Sequence, residues 1–296
     1  MSHAAIADAV ERYLAPTRLT QALAALALPG GATVLAGGTD LMPQGQAGRA
    51  RFGRTLLNVR RVEGLDAISV EDGALVLGAT VTIETLRTDA RVRAHAPLLA
   101  EAADHFASEQ VRNAATLGGN VCNASPAGDT LPALLALDAE VELAALSNQG
   151  AVTTRRLPVR DFFTGPGLTR REPHELLTAV RVPLPPAGQV TRWHKAGTRP
   201  ALDISTVAIA FAAARDGAGR LHGVRLALGA VAPTPLRASA AEALMEGQLP
   251  TPALADAAAR AAAEAAHPID DVRASAWYRR ELVRNLTRRM LDELHP

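Results

Sequence analysis

The sequence predicts an α+β protein, and three observations carry that expectation. Hairpin signals are mixed with short helices instead of alternating strictly with them, which argues against a doubly wound parallel sheet. Neither G-x-G-x-x-G nor G-x-x-x-x-G-K-[ST] occurs, so the two commonest nucleotide fingerprints are absent. A proline-rich break, Pro183-Leu184-Pro185-Pro186-Ala187-Gly188, precedes a tail of three strands and then three helices rich in alanine and arginine.

The elements follow in order from local chemistry. Thr20 to Leu28 reads as a helix with Thr20 as its N-cap and Pro29-Gly30-Gly31 closing it. Ala32 to Ala36 is a strand that runs into Gly37-Gly38-Thr39-Asp40, and a polar, glycine-bearing loop leads to Arg54 and a strand over Thr55 to Val59. Asp66 to Val70 and Ala74 to Ala79 flank Glu71-Asp72-Gly73, a strong hairpin signal. Thr82 caps a helix over Ile83 to Asp89, a second covers Pro97 to Phe106, and a glycine-rich loop spans Ala115 to Asp129. Thr130 to Leu137 is helical, Val141 to Leu146 and Ala151 to Leu157 form another hairpin, and Glu175 to Val182 is a strand. Beyond the break, Gln189 to Lys195, Ala201 to Ala213 and Leu221 to Val231 predict a three-stranded antiparallel sheet. Ala238 to Glu246, Pro252 to Ala266 and Ser275 to Leu294 predict helices packed on it. The expected domains are 1–182, itself divided at about residue 56, and 183–296.

Composition narrows the function. With 296 residues and 48% hydrophobic side chains the chain builds a large core without metal or disulfide staples. A net charge of +1, from 31 basic against 30 acidic residues, excludes a general polyanion binder, so no nucleic-acid partner is expected. The single cysteine, Cys122, cannot hold an iron–sulfur cluster, which takes three or four protein ligands at least, so any cluster belongs to another chain. Histidines stand at no metal-ligand spacing, and no protein-bound metal is expected. Met1 to Ala5 show no targeting pattern and no stretch reaches the ~20 apolar residues of a membrane span, which predicts a cytoplasmic protein. One oddity remains: every basic residue is arginine except Lys195.

Two glycine pairs hold the most chemical information. Leu35-Ala36-Gly37-Gly38-Thr39-Asp40-Leu41 follows a strand, and Ala115-Thr116-Leu117-Gly118-Gly119-Asn120 opens the longer polar segment. Without side chains, backbone N–H groups approach a ligand closely and form an anion-binding concavity, and Thr39 and Thr116 add hydroxyls. The pairs fit a diphosphate held between two loops, although glycine dipeptides also serve as plain turns. The second segment continues through Asn123, Ser125 and Asp129 in small, polar residues that bury no core of their own and suit wrapping a ligand. Asp129 either caps the following helix or accepts from ligand hydroxyls.

The succession LAGGTDL, LGATVTIETL, TLGGNVCNASPAGDTLPALLALDAEVEL, DFFTGPG and HKAGTRPALDISTVAIA resembles the FAD-binding medium subunit of bacterial molybdenum hydroxylases, across essentially the whole chain. The resemblance implies a vanillyl-alcohol-oxidase-type (PCMH) fold with FAD between an N-terminal α+β region and a C-terminal three-stranded region. It implies that Leu35, Ala36, Gly37, Gly38, Thr39, Asp40 and Leu41 form the first pyrophosphate loop. Ala115, Thr116, Gly118, Gly119, Asn120 and Asn123 form the second, and Ser125 and Asp129 address ribityl or ribose hydroxyls. Ala79, Thr80, Phe106 and Leu177 flank the ring, and Lys195, opening a K-x-x-x-R-x-x-x-D pattern, tunes the flavin, with an Arg199–Asp203 ion pair shaping the covering loop. Thr39-Asp40 and Asp203-Ile204 lean toward the purine and aromatic-heterocycle branch. The implied role is electron transfer from [2Fe–2S] clusters on a small subunit, fed by a large molybdopterin subunit, through FAD to NAD or another acceptor, in a dimer of heterotrimers. A stand-alone flavin oxidoreductase and a flavin-free structural subunit are the rivals.

Overall fold

The computed structural model describes residues 9–199 and 201–294; Met1 to Ala5 and Pro200 of the lysine pattern lie outside the described residues. The first layer comprises β1 (Arg12–Leu14), α1 (Leu19–Leu26), β2 (Ala32–Leu35), α2 (Leu41–Gln46) and β3 (Thr55–Asn58). β1 and β2 both pair in parallel with β3. Three differences from expectation arise here. Thr20 lies inside α1, whose cap position is Arg18, with the Arg18 N–H donating to the Gln21 side chain at 3.3 Å. β1 is too short to leave a sequence pattern. α2 occupies part of the expected loop, because Pro43 falls in the first turn, where a missing N–H costs no intrahelical bond.

The second layer holds β4 (Ile68–Glu71), β5 (Ala74–Gly78), α3 (Ile83–Thr88), α4 (Ala90–His95), α5 (Pro97–Asp104), α6 (Glu109–Ala114), α7 (Leu117–Asn123) and α8 (Thr130–Ala136). It continues with β6 (Glu140–Leu146), β7 (Val152–Pro158), α9 (Val159–Phe162), β8 (Phe163–Gly165), β9 (Leu168–Thr169) and β10 (Leu176–Pro183). Its five-stranded antiparallel sheet runs β4-β5-β10-β6-β7. Asp72 and Gly73 both take positive φ, 49° and 73°, as the two-residue hairpin turn requires. Thr82 caps α3 as expected, its hydroxyl accepting from the Thr85 N–H at 3.0 Å. The segment expected as loop from Ala115 contains α7 instead. Thr116 Oγ1 accepts from the Gly119 N–H at 3.1 Å, and this cap outweighs the poor helix propensity of two glycines.

The C-terminal region contains β11 (Gln189–Ala196), β12 (Val207–Arg215), β13 (Leu221–Gly229), β14 (Leu236–Arg237), α10 (Ser239–Met245), α11 (Pro252–Ala265) and α12 (Ala276–Asp292). Its antiparallel sheet has four strands, in order β11-β12-β13-β14, not the three expected. β14 is two residues beside Pro235 and carries no period-two signal. β12 begins at Val207, not Ala201. The preceding residues instead form a strap in which Leu202 has φ 58° and the Asp203 carboxylate accepts from Thr198 and from the Arg199 N–H. The expected Arg199–Asp203 side-chain pair is therefore replaced by backbone and hydroxyl donors.

Strict alternation in β12 joins the two regions. Ala208, Ala210 and Ala212 face the core of the second layer, while Val207, Ile209, Phe211 and Ala213 face the core beneath α10 to α12. The small face lets α8 approach so closely that a Cβ on Gly229 would meet Pro132 Cγ at 2.7 Å. Among the described residues, no helix is long and apolar enough to cross a membrane.

Candidate functional site

A cleft of about 810 Å³ runs between the first and second layers and reaches the strap at 202–204. Ala36, Gly37, Gly38, Thr39, Asp40, Leu41, Ala79, Thr80, Phe106, Ala115, Thr116, Gly118, Gly119, Asn120, Asn123, Ser125, Asp129 and Leu177 all line it. Of the expected site residues, Leu35 and Lys195 do not. Leu35 lies beneath the first loop, where a Cβ on Gly38 would touch its Cδ1 at 3.1 Å. Lys195 lies behind the wall, its Nζ donating to Asp129 Oδ2.

The two glycines of the first loop are required for different reasons. Gly37 is pressed against the backbone of Ala114 and Ala115, where any Cβ would overlap the Ala114 carbonyl oxygen. Gly38 has φ 70°, which side chains rarely tolerate. The N–H groups of Gly37, Gly38, Thr39 and Asp40 donate to no protein acceptor among the described residues. The loop is held instead by its side chains: Asn123 Nδ2 donates to the Asp40 carboxylate, and Gln44 Nε2 donates to Asn123 Oδ1 at 3.3 Å.

The second pair behaves otherwise. Gly118 packs on Ala79, its N–H donating to Ala79 O at 2.8 Å, and a Cβ there would meet that oxygen at 2.7 Å. Asn120 is fixed by the Thr130 hydroxyl at 2.6 Å. Thr80 Oγ1 is buried with no partner among the described residues, an orphan hydroxyl on the cleft wall. Free amides, an orphan hydroxyl and glycine-thin walls fit a long, polar, phosphate-bearing cofactor, and the volume lies in the upper part of the ~300–1,000 Å³ range of ligand sites. Leu202, Asp203 and Ile204, expected in the covering loop, reach the cleft, while Arg51, Cys122 and Arg171 also line it and were not anticipated as wall residues. Burial pushes the Cys122 thiol up to about 11, which leaves it an inert wall group.

Asp129 makes no cap bond to α8, although it occupies the cap position. Its Oδ2 accepts from Lys195 Nζ at 2.7 Å and its Oδ1 from the Ser205 hydroxyl at 2.7 Å. Both side chains of the ion pair are about nine-tenths buried. Burial pushes the Asp129 carboxyl up, while Lys195 and Ser205 pull it down.

Glu84 lies outside the cleft lining and pairs with Arg87 and Arg112. Hydrogen bonds from Arg87 and then Arg112, at 3.0 and 2.9 Å, hold its carboxyl down at about 2. A depressed folded value contributes stability that is full above the ordinary value near 4.5 and is lost as pH falls toward 2. Melting curves of the wild-type chain and Glu84→Gln are therefore expected to differ at pH 6 and converge as pH drops through that window. A constant gap down to the acid limit would refute the assignment.

Fold and cleft together define a mixed α+β protein built to enclose an extended, phosphate-bearing cofactor. Residues 8–185 match the family described as FAD binding domain in molybdopterin dehydrogenase, and residues 192–294 match the CO dehydrogenase flavoprotein C-terminal domain. The chain belongs to this family of FAD-binding subunits of molybdopterin dehydrogenases. It is 33% identical to the xanthine dehydrogenase FAD-binding subunit of Escherichia coli over 264 residues, 88% of each chain. It is 32% identical to the carbon monoxide dehydrogenase medium chain of Hydrogenophaga pseudoflava over 284 residues, 95% of each chain. The solved carbon monoxide dehydrogenase of that organism superposes with a TM-score of 0.89 at 33% identity over 96% of each chain. Quinoline 2-oxidoreductase of Pseudomonas putida superposes with 0.87 at 29% identity, over 97% of this chain and 96% of the other.

Proposed function

We propose that the cleft holds FAD and that the chain is the electron-transfer subunit of a molybdenum hydroxylase. The observation that carries this reading is the meeting of the two glycine segments, Gly37 packed on the Ala114–Ala115 backbone and Asp40 tied to Asn123, around free amides. In this reading Ala36 to Asp40 and Thr116 to Asn123 hold the pyrophosphate, and Ser125 and Asp129 address the sugar hydroxyls. Ala79, Thr80, Phe106 and Leu177 flank the ring, and the 183–188 break divides the two domains. FAD, when bound, supplies a carrier between [2Fe–2S] clusters of a partner subunit and NAD or another acceptor. The expected partners are a small iron–sulfur and a large molybdopterin subunit, in a cytoplasmic dimer of heterotrimers. Thr39-Asp40 and Asp203-Ile204 favour the purine and heterocycle branch for the substrate oxidised on the large subunit.

The purified chain, incubated with FAD and desalted, is expected to keep the flavin absorption bands and to release FAD on denaturation. A colourless chain, both alone and co-expressed with its partners, would overturn the reading in favour of a structural subunit.

A further inference from the structure

Three successive carbonyls, those of His105, Phe106 and Ala107, accept from cations that belong to two different elements. Lys195 Nζ, on β11, donates to His105 O at 2.9 Å. Arg112 Nη1, on α6, donates to Phe106 O at 3.0 Å and to Ala107 O at 3.2 Å. Each cation is itself held by a carboxylate: Lys195 by Asp129, and Arg112 by Glu84, whose Oε2 accepts from Arg112 Nε at 2.9 Å.

The segment so held is a cleft wall. Phe106 and Ala107 both line the cleft, and Ala107 has φ 34°, a region that residues with a side chain occupy only when their surroundings impose it. The Arg112 and Glu84 side chains are only 16% and 20% exposed, so water competes weakly for their bonds. α6 buries none of its residues fully, which makes the contribution of Arg112 one of tethering and not of core packing. Arg87 extends the same network to Asp104, at the end of α5 just before the turn, at 3.3 Å.

We propose that Arg112, oriented by Glu84, is a positioning residue that fixes the Phe106–Ala107 wall against the cofactor; this rests on the assignment of the cleft to FAD. The role needs a guanidinium. One fork donates backward to Glu84 and forward to two carbonyls, and an ammonium cannot span both. Lys195 holds the preceding carbonyl, so the wall is braced from the second layer and from the C-terminal sheet at once.

The test compares full-length wild type, Arg112→Lys and Glu84→Gln by FAD titration, by visible circular dichroism of the bound flavin, and by amide hydrogen exchange at residues 106–108 without FAD. Arg112→Lys is expected to weaken FAD binding roughly tenfold, the scale of losing one or two hydrogen bonds to a charged group, to change the flavin dichroism, and to speed exchange in the turn. Glu84→Gln is expected to move all three readings in the same direction by less, and it stands in if Arg112→Lys does not fold. Wild-type affinity and dichroism in both variants, with unchanged exchange, would overturn the proposal. If the wild-type chain binds no FAD, the cleft assignment fails, and unchanged exchange in the variants would then overturn the clamp separately.

Discussion

Gly37→Ala is expected to strip FAD from the chain while leaving the fold intact. The added Cβ would overlap the Ala114 carbonyl oxygen and press on Ala115 Cα, so the first loop must lift away from the segment that opens the second. The neighbours are backbone held at the end of α6, with the Ala115 N–H donating to Val111 O at 2.7 Å, and they do not yield as a flexible side chain would. Overpacking of this kind costs about 1–3 kcal/mol, which is roughly 5- to 150-fold in affinity if the displaced loop carries the pyrophosphate. Gly217→Ala is the control, because nothing lies within 4 Å of its Cβ position. Equilibrium dialysis against FAD checks the pair; equal affinity in both would show that the first loop does not touch the cofactor.

Asp129→Asn is expected to destabilise the chain and to raise the flavin potential. The substitution leaves Lys195 buried without its carboxylate, and breaking one side of a buried pair costs about 3–5 kcal/mol, or roughly 10 °C of melting temperature in a chain of this size. Lys195→Met acts from the other side, leaving Asp129 unpaired. Its effect on the potential should have the opposite sign, since a cation near reduced flavin stabilises it and an uncompensated carboxylate does not. The double variant should melt above either single one, because replacing both partners removes the unpaired charge. Calorimetry and a redox titration of the three variants decide the matter. Single variants that melt like wild type would show that the pair does not stabilise the fold, and potentials shifted in the same direction would show that its charges do not act on the flavin.

Part of this chemistry was legible in the sequence. The two glycine segments and the β4–β5 turn were readable because turn chemistry and short motifs act over a few residues, whereas Phe106 and Leu177 came into view only through the family resemblance. α7 was missed since its capping threonine was read as a ligand hydroxyl, and its two glycines lower helix propensity. The fourth strand of the C-terminal sheet was missed because two residues show no alternation. Asp129 was open between capping and ligand binding. The structure gives its oxygens first to Lys195 and Ser205, partners separated from it by 66 and 76 positions.

The sequence by itself determined the class of fold, the order of its main elements and, with the family resemblance, about half of the residues that line the cleft. Those depend on periodicity, on glycine where side chains cannot fit, and on turn residues, all properties of a few adjacent positions. Only the tertiary structure decided which charged groups meet. Lys195 from β11 reaches Asp129, Arg112 turns back to the Phe106 carbonyl, and Asn123 closes on Asp40 from 83 positions away. Pairing of that kind is set by how layers pack, and the alanine face of β12 that brings the C-terminal sheet onto α8 became meaningful only once the opposing surface was in place.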